Sequence, residues 1–141
     1  MEYQIFPMTP LDYNAVTSFW RQFIEIGRNE SDEREPFQRY LARNPGMSFF
    51  AKDSTGAVIA AVLCGHDGRR GYLHHLAVAP AYRRRGLGRT LVERCLSQLA
   101  AAGIPKCNVF VFNQNLDARR FWERLGYHSV KWSPMQRPTA G

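Results

Sequence analysis

Residues 76–96, LAVAPAYRRRGLGRTLVERCL, pass from an apolar run through a proline and three successive arginines into a Gly-x-Gly. The apolar run reads as the end of a strand, and Pro80 stops it. From about Gly88 the pattern becomes helical and continues to Ala102, where Gly103 and Pro105 end it. A helix begins with backbone N–H groups that have no intrahelical partner, and with the positive end of its dipole. Anions settle there. Gly86 and Gly88 carry no side chain to hold a phosphate away, and Arg83, Arg84, Arg85 and Arg89 add positive charge. The order of strand, proline, arginines, Gly-x-Gly and helix therefore fits a seat for a pyrophosphate.

Reading outward, YLHHLAV (72–78) is the strand that feeds this seat. Before it, MSFFAK (47–52) and VIAAVLCGH (58–66) are strands separated by the turn DSTG, and DGRRG (67–71) makes the next turn. These predict consecutive antiparallel pairs. YQIFPM (3–8) is a short first strand. Thr9, Pro10 and Asp12 then mark a helix start whose apolar residues Leu11, Val16, Phe19, Trp20, Phe23 and Ile24 carry it to Gly27. A second short helix covers 36–43, after the acidic segment Glu30, Asp32, Glu33, Glu35. KCNVFVF (106–112) is a strand, a helix runs from Asn115 to about Leu125, HSVKW (128–132) is a last strand, and 133–141 is a loose tail. The strand–helix–strand crossover around 88–102 requires a parallel pair within the sheet. The expectation is one α/β domain over residues 1–141, a mixed, mostly antiparallel sheet flanked by about four helices.

Of the 141 residues 45% are hydrophobic, the formal net charge is +7, and arginine carries nearly all of the positive charge. That balance points to an anionic partner, nucleic acid or a phosphorylated small molecule. The charge gathers around one Gly-x-Gly instead of spreading over a face, which disfavours nucleic acid. No apolar run approaches the roughly 20 residues of a membrane span. The N-terminus lacks the pattern of a secretory signal, and Cys64, Cys95 and Cys107 read as reduced thiols with no metal-ligand spacing. A cytoplasmic protein without a metal fits these features.

The segment Arg83–Gly88 resembles the Gln/Arg-x-x-Gly-x-Gly/Ala hallmark of the GNAT superfamily of N-acetyltransferases, and LAVAP before it looks like that family's fourth strand. NQNLDARRFWERLGY (113–127) is similar to the family's second motif. The whole resembles most closely the small bacterial members of the YpeA type. The resemblance implies a sheet whose parallel strands 4 and 5 splay at a β-bulge, and acetyl-CoA as cosubstrate. Backbone groups of Leu76, Ala77 and Val78 would pair with the pantetheine arm. The N–H groups of Arg84, Arg85, Gly86, Leu87, Gly88 and Arg89 would hold the pyrophosphate, with Arg83 also on the cofactor side. Asn115 and Trp122 would complete the cofactor side, Asn115 also capping its helix. A homodimer is common in the family.

The family's usual general acid is a tyrosine at the position of Trp122, whose indole does not titrate usefully. Tyr127 sits where the family has a packing aromatic. Simple alternation puts Tyr72, His74, Leu76 and Val78 on one face of the strand, and Leu73, His75 and Ala77 on the other. His74 is the expected base or water relay, because imidazole titrates near neutrality, and Tyr72 the donor to the leaving thiolate. His75 reads as a half-buried residue under a helix, and Glu25 is an alternative base. The acidic segment is either a solvated loop or an attractor for a cationic amine. Phe110 stands where some relatives that acetylate protein N-termini carry a catalytic Glu. The expected activity is acetyl transfer to an amine of a small molecule, amino acid or peptide. The alternatives are a non-catalytic acyl-CoA sensor and a protein N-terminal or lysine acetyltransferase.

Overall fold

Two aspartates set the sheet's hairpins. Asp53 Oδ1 accepts hydrogen bonds from the Thr55 hydroxyl at 2.6 Å, the Thr55 N–H at 2.9 Å and the Ala57 N–H at 3.0 Å. Asp67 Oδ1 likewise accepts from the N–H groups of Arg69 at 2.8 Å and Arg70 at 2.9 Å. These bonds fix each turn and hold both carboxyls below their usual range. The strands so joined are β2 (Phe49–Asp53), β3 (Val58–His66) and β4 (Gly71–Val78). With β1 (Tyr3–Pro7) and β5 (Cys107–Val109) they form a five-stranded sheet in chain order, antiparallel throughout except for the parallel β4–β5 pair.

The computed structural model describes residues 2–140. The chain divides into two units, Met1–Phe110 and Val111–Gly141. In the first, α3 (Leu87–Ala101) covers one face of the sheet. Cys64 Sγ lies 4.0 Å from the Cys95 carbonyl there, and a Cβ on Gly71 would come within 2.5 Å of Leu99. Glycine at 71 is what lets α3 approach. On the other face α1 (Tyr13–Trp20) and α2 (Arg34–Arg43) close a core of Val16, Phe19, Trp20, Phe37, Leu41, Phe50, Ala61, Leu63 and Ala77. Cys64 and Cys95 are buried thiols, whereas Cys107, also expected to be buried, is half-buried at the start of the short edge strand β5.

Three elements differ from the sequence reading. The first helix is broken: Pro10–Asp12 is a 3-10 turn, α1 ends at Trp20, and Ile24–Ile26 is a second 3-10 turn ending at left-handed Gly27. Leu11 and Ile24, counted in its apolar stripe, are 92% and 97% exposed. The strand expected over 106–112 shortens to Cys107–Val109, because its partner β4 changes course immediately after Leu73.

The second unit contains α4 (Leu116–Arg124), capped by the Asn115 side chain, which accepts from the Ala118 N–H at 3.1 Å. Asp117 in its first turn and Arg124 in its last complement the helix dipole. The strand expected at 128–132 does not form. Its residues are exposed and irregular, with Trp132 at 71% exposure, and among the described residues no strand pairs with them. Strand propensity measures fit to a half-buried pleated surface, and that surface is missing here. Residues 133–140 form no helix or strand, and Gly141 of the expected tail lies outside the described residues.

Candidate active site

The register of β4 on β3 locates the site. Tyr72 opposes Gly65, Leu73 opposes Cys64 and His74 opposes Leu63; then Ala77 opposes Ala61 and Val78 opposes Ala60. His75 and Leu76 therefore share a single partner, Val62. This is a β-bulge, and His75 sits in it with φ 60°. Directly opposed residues share a face, so Tyr72, His74 and Ala77 lie on the side of α1 and α2, while Val78 lies on the side of α3. Simple alternation, which grouped Val78 with Tyr72 and His74, fails because the extra residue inverts the order.

The bulge also separates the parallel strands. The β4–β5 ladder ends at the pair Leu73–Val109, whereas β4 continues to Val78. Among the described residues, Leu76, Ala77 and Val78 have a strand neighbour on the β3 side alone. Their other edge presents backbone N–H and C=O groups to whatever extended chain can pair with them.

Below this edge the chain makes a 3-10 turn over Pro80–Tyr82 and reaches the arginine loop. Arg83 Nε donates to the Val78 carbonyl at 2.9 Å, with its guanidinium 5.9 Å from the Phe23 ring centroid. Arg83 thus grips the end of β4. Arg84 (φ 62°) and Gly86 (φ 84°) are both left-handed. Such residues within a tight loop gather successive N–H groups into a concave anion seat. Gly86 is the N-cap of α3, no side chain caps that helix, and its first turn holds no acid. A Cβ built on Gly86 meets open space. Leu87 is buried and anchors the helix start, while Arg84, Arg85 and Arg89 are exposed. The residue types and their conformation fit a diphosphate.

On the α1/α2 side, the rings of Tyr72, His74 and Phe110 form a nearly parallel wall. Centroids lie 6.3 Å apart for Tyr72–His74 and 6.0 Å for both Tyr72–Phe110 and His74–Phe110, with interplanar angles of 12°, 7° and 18°. The Tyr40 ring meets His74 edge-on at 6.1 Å. Burial first, then the neighbouring His75, push the His74 imidazole below its ordinary value, outweighing the opposite pull of Asp32. The His74 imidazole is therefore neutral near pH 7. The Tyr40 hydroxyl is buried with no hydrogen-bond partner among the described residues, and burial pushes its pKa up, so it stays protonated.

The sequence did not reveal the next pair. His75 Nε2 lies 2.7 Å from Asp32 Oδ1, with the two side chains 11% and 9% exposed. Asp32 Oδ2 accepts from the Asn29 N–H at 2.9 Å. Burial raises the Asp32 pKa, but the hydrogen bonds from His75 and Asn29 and the charges of His75 and Arg28 outweigh it and hold the carboxyl below its usual range. Glu30, Glu33 and Glu35 are exposed, so the acidic segment divides into three solvated residues and one buried partner. The Asn29-x-x-Asp32 spacing of a capping box was the available signal. Glu25 is exposed on its 3-10 turn.

In the second unit, Asn115 is the cap of α4. Trp122 is half-buried, with its ring 5.1 Å from those of both Phe121 and Tyr127.

The model of the acetyltransferase (GNAT) family matches residues 13–127. The chain belongs to the GNAT family. An acetyltransferase of Pectobacterium atrosepticum is 31% identical over 130 residues, covering 92% of this chain and 89% of that one. The fold is that of other GNAT proteins. A PaiA N-acetyltransferase from Thermoplasma acidophilum, solved in complex with coenzyme A, superposes with a TM-score of 0.77 at 16% identity over 94% of each chain. An aminoglycoside acetyltransferase from an uncultured soil sample superposes with a TM-score of 0.72 at 19% identity, over 99% of this chain and 100% of its own. This GNAT protein is an acyltransferase. Among the described residues no helix is long and apolar enough to cross a membrane, and no cluster of three His, Cys, Asp or Glu offers a metal site.

Proposed function

We propose that this acetyltransferase moves an acetyl group from acetyl-CoA to a primary amine of a small molecule, amino acid or peptide by direct attack in a ternary complex, with residues 1–141 acting as one catalytic domain. The observation that carries this reading is the bulge-opened edge of β4 leading into the uncapped, left-handed start of α3. An extended arm and a diphosphate are the two parts of one molecule that these features would receive in that order. The family match, which spans both units of the chain, supports the single domain.

Bound acetyl-CoA supplies the activated acyl carbon. Backbone groups of Leu76, Ala77 and Val78 pair with its arm, and the N–H groups from Arg84 to Arg89, including Leu87 and Gly88, hold its diphosphate. Arg83 contributes by fixing the end of the strand. The family resemblance is the basis for assigning Asn115 and Trp122 of the second unit to the cofactor as well. An alkyl amine with a pKa near 10.4 is mostly protonated at neutral pH. Neutral His74 takes its proton directly or through water, the nitrogen attacks the acyl carbon, and the carbon–sulfur bond breaks with its electron pair on sulfur. The N–H of Leu76 or Val78 stabilises the carbonyl oxygen as it gains charge. The Tyr72 hydroxyl, on the same face as His74, protonates the departing thiolate, a role that the Trp122 indole cannot fill, and the second proton shed by the nitrogen as the amide forms restores the Tyr72 hydroxyl, directly or through water.

The test is calorimetry with acetyl-CoA followed by a thiol-release assay over a panel of amines. Heat with acetyl-CoA and amine-dependent release that falls in Tyr72→Phe and His74→Gln support the reading. Absence of any heat overturns the cofactor site. Binding without release on any amine overturns the catalytic part.

A further inference from the structure

We infer that the Asp32–His75 pair is a positioning device that holds residue 75 left-handed and thereby keeps β4 open for the cofactor arm. The inference rests on the acetyl-CoA reading above and assigns roles to two residues outside its chemistry. A β-carbon-bearing residue at φ 60° is strained, and it persists where its surroundings over-determine it. The surroundings of His75 do so. Asp32 grips its Nε2 at 2.7 Å, and the Trp20 ring of α1 packs edge-on against it at 5.3 Å. Asp32 is itself fixed by the Asn29 N–H through its second oxygen. Arg28 helps to keep it ionised, and the neutral His74 ring lies 6.4 Å from that of His75. Both partners are nearly buried, so water screens the contact little.

The consequence reaches the backbone. If residue 75 relaxed to an extended conformation, the two-for-one pairing with Val62 would be lost. Ala77 and Val78 would exchange faces, and β4 would be free to continue its ladder with the chain beyond Val109. The slot would close. A loop 43 residues earlier in the chain thus holds open the strand that receives the cofactor.

Glycine separates this role from a general loss of packing, because it takes a left-handed conformation without strain. The experiment compares the full-length protein with Asp32→Ala, Asp32→Asn and the double variant Asp32→Ala/His75→Gly, by thermal melting without ligand and by calorimetry with coenzyme A. Asp32→Ala is expected to lower the melting temperature and weaken coenzyme A binding by about tenfold or more, Asp32→Asn less. The double variant is expected to recover both, binding within about threefold of the parent protein. A double variant as weak and as unstable as Asp32→Ala, or an Asp32→Ala protein with the parent's affinity, overturns the inference. A parent protein that fails to bind coenzyme A overturns the functional reading instead. In that case the melting comparison alone still decides whether the pair holds residue 75.

Discussion

Gly86 offers the sharpest test of the proposed diphosphate seat, because its two contributions can be separated. Its φ of 84° is left-handed, and a β-carbon there meets no atom within 4 Å. Alanine therefore adds backbone strain without a clash against the protein, about 1–2 kcal/mol. For a chain of this length each kcal/mol moves the melting temperature by about 3–4 °C, so Gly86→Ala should melt lower by about 3–8 °C. Asparagine tolerates the left-handed region better than alanine, and Gly86→Asn should melt closer to the parent protein. The order reverses for ligand binding. The open space over Gly86 is where the diphosphate would approach, so the larger asparagine side chain obstructs it more. Calorimetry with coenzyme A should show affinity down by about tenfold, or 1.4 kcal/mol, in Gly86→Ala and by more in Gly86→Asn. An asparagine variant with the parent's affinity would refute the claim that the start of α3 seats the diphosphate. An alanine variant with an unchanged melting temperature would refute the strain argument.

Other substitutions test the remaining parts. His74 titrates below its ordinary 6.5 in the folded chain, so on acidification the unfolded chain takes up that proton first. Stability is lost as pH falls from 6.5 toward the lower folded value, and His74→Gln should flatten that loss in melts taken between about pH 7 and pH 5 while lowering kcat and leaving coenzyme A affinity intact. Asn115→Ala should cost about 1 kcal/mol through the lost helix cap, whereas Asn115→Asp keeps the cap. If Asn115 also contacts the cofactor, both lower kcat/KM for acetyl-CoA, and parent-like kinetics in Asn115→Asp would reduce the residue to a cap. Gly65→Ala should destabilise the protein by about 1–3 kcal/mol in denaturant melts, because the added carbon would lie 2.5 Å from the Tyr40 hydroxyl and 2.6 Å from the Asn44 side chain.

Features encoded by neighbouring residues were legible in the sequence. The hairpin turns follow from Asp53 and Asp67 binding N–H groups a few positions on. The start of α3 follows from Gly86, and the cap of α4 from Asn115. What local reading missed depends on distant partners. A histidine at φ 60° carries no local signature, because what holds it, Asp32 and Trp20, lies on other elements. The family resemblance implied a bulge in this strand, but the alternation of faces was read without it, which inverted the face assigned to Val78 and let the strand after α3 run too far. Val130 and Trp132 favour a strand, but propensity without a partner leaves them exposed. The apolar spacing after Thr9 was sound at Val16, Phe19, Trp20 and Phe23, all buried, and misled at Leu11 and Ile24 on its flanks.

The inverted order in β4 divides the strand's labour. Before the extra residue, the side chains of Tyr72 and His74 face the helix pair and border the space an acceptor would enter. After it, Val78 is set toward α3, and any contribution it makes to the proposed cofactor site would pass through main-chain atoms that every residue possesses. On the proposed reading, proton transfer at the reacting centre and retention of the donor are thereby written in separate parts of one strand. On that reading, substitutions at 72 and 74 would lower turnover while coenzyme A binding continues undisturbed.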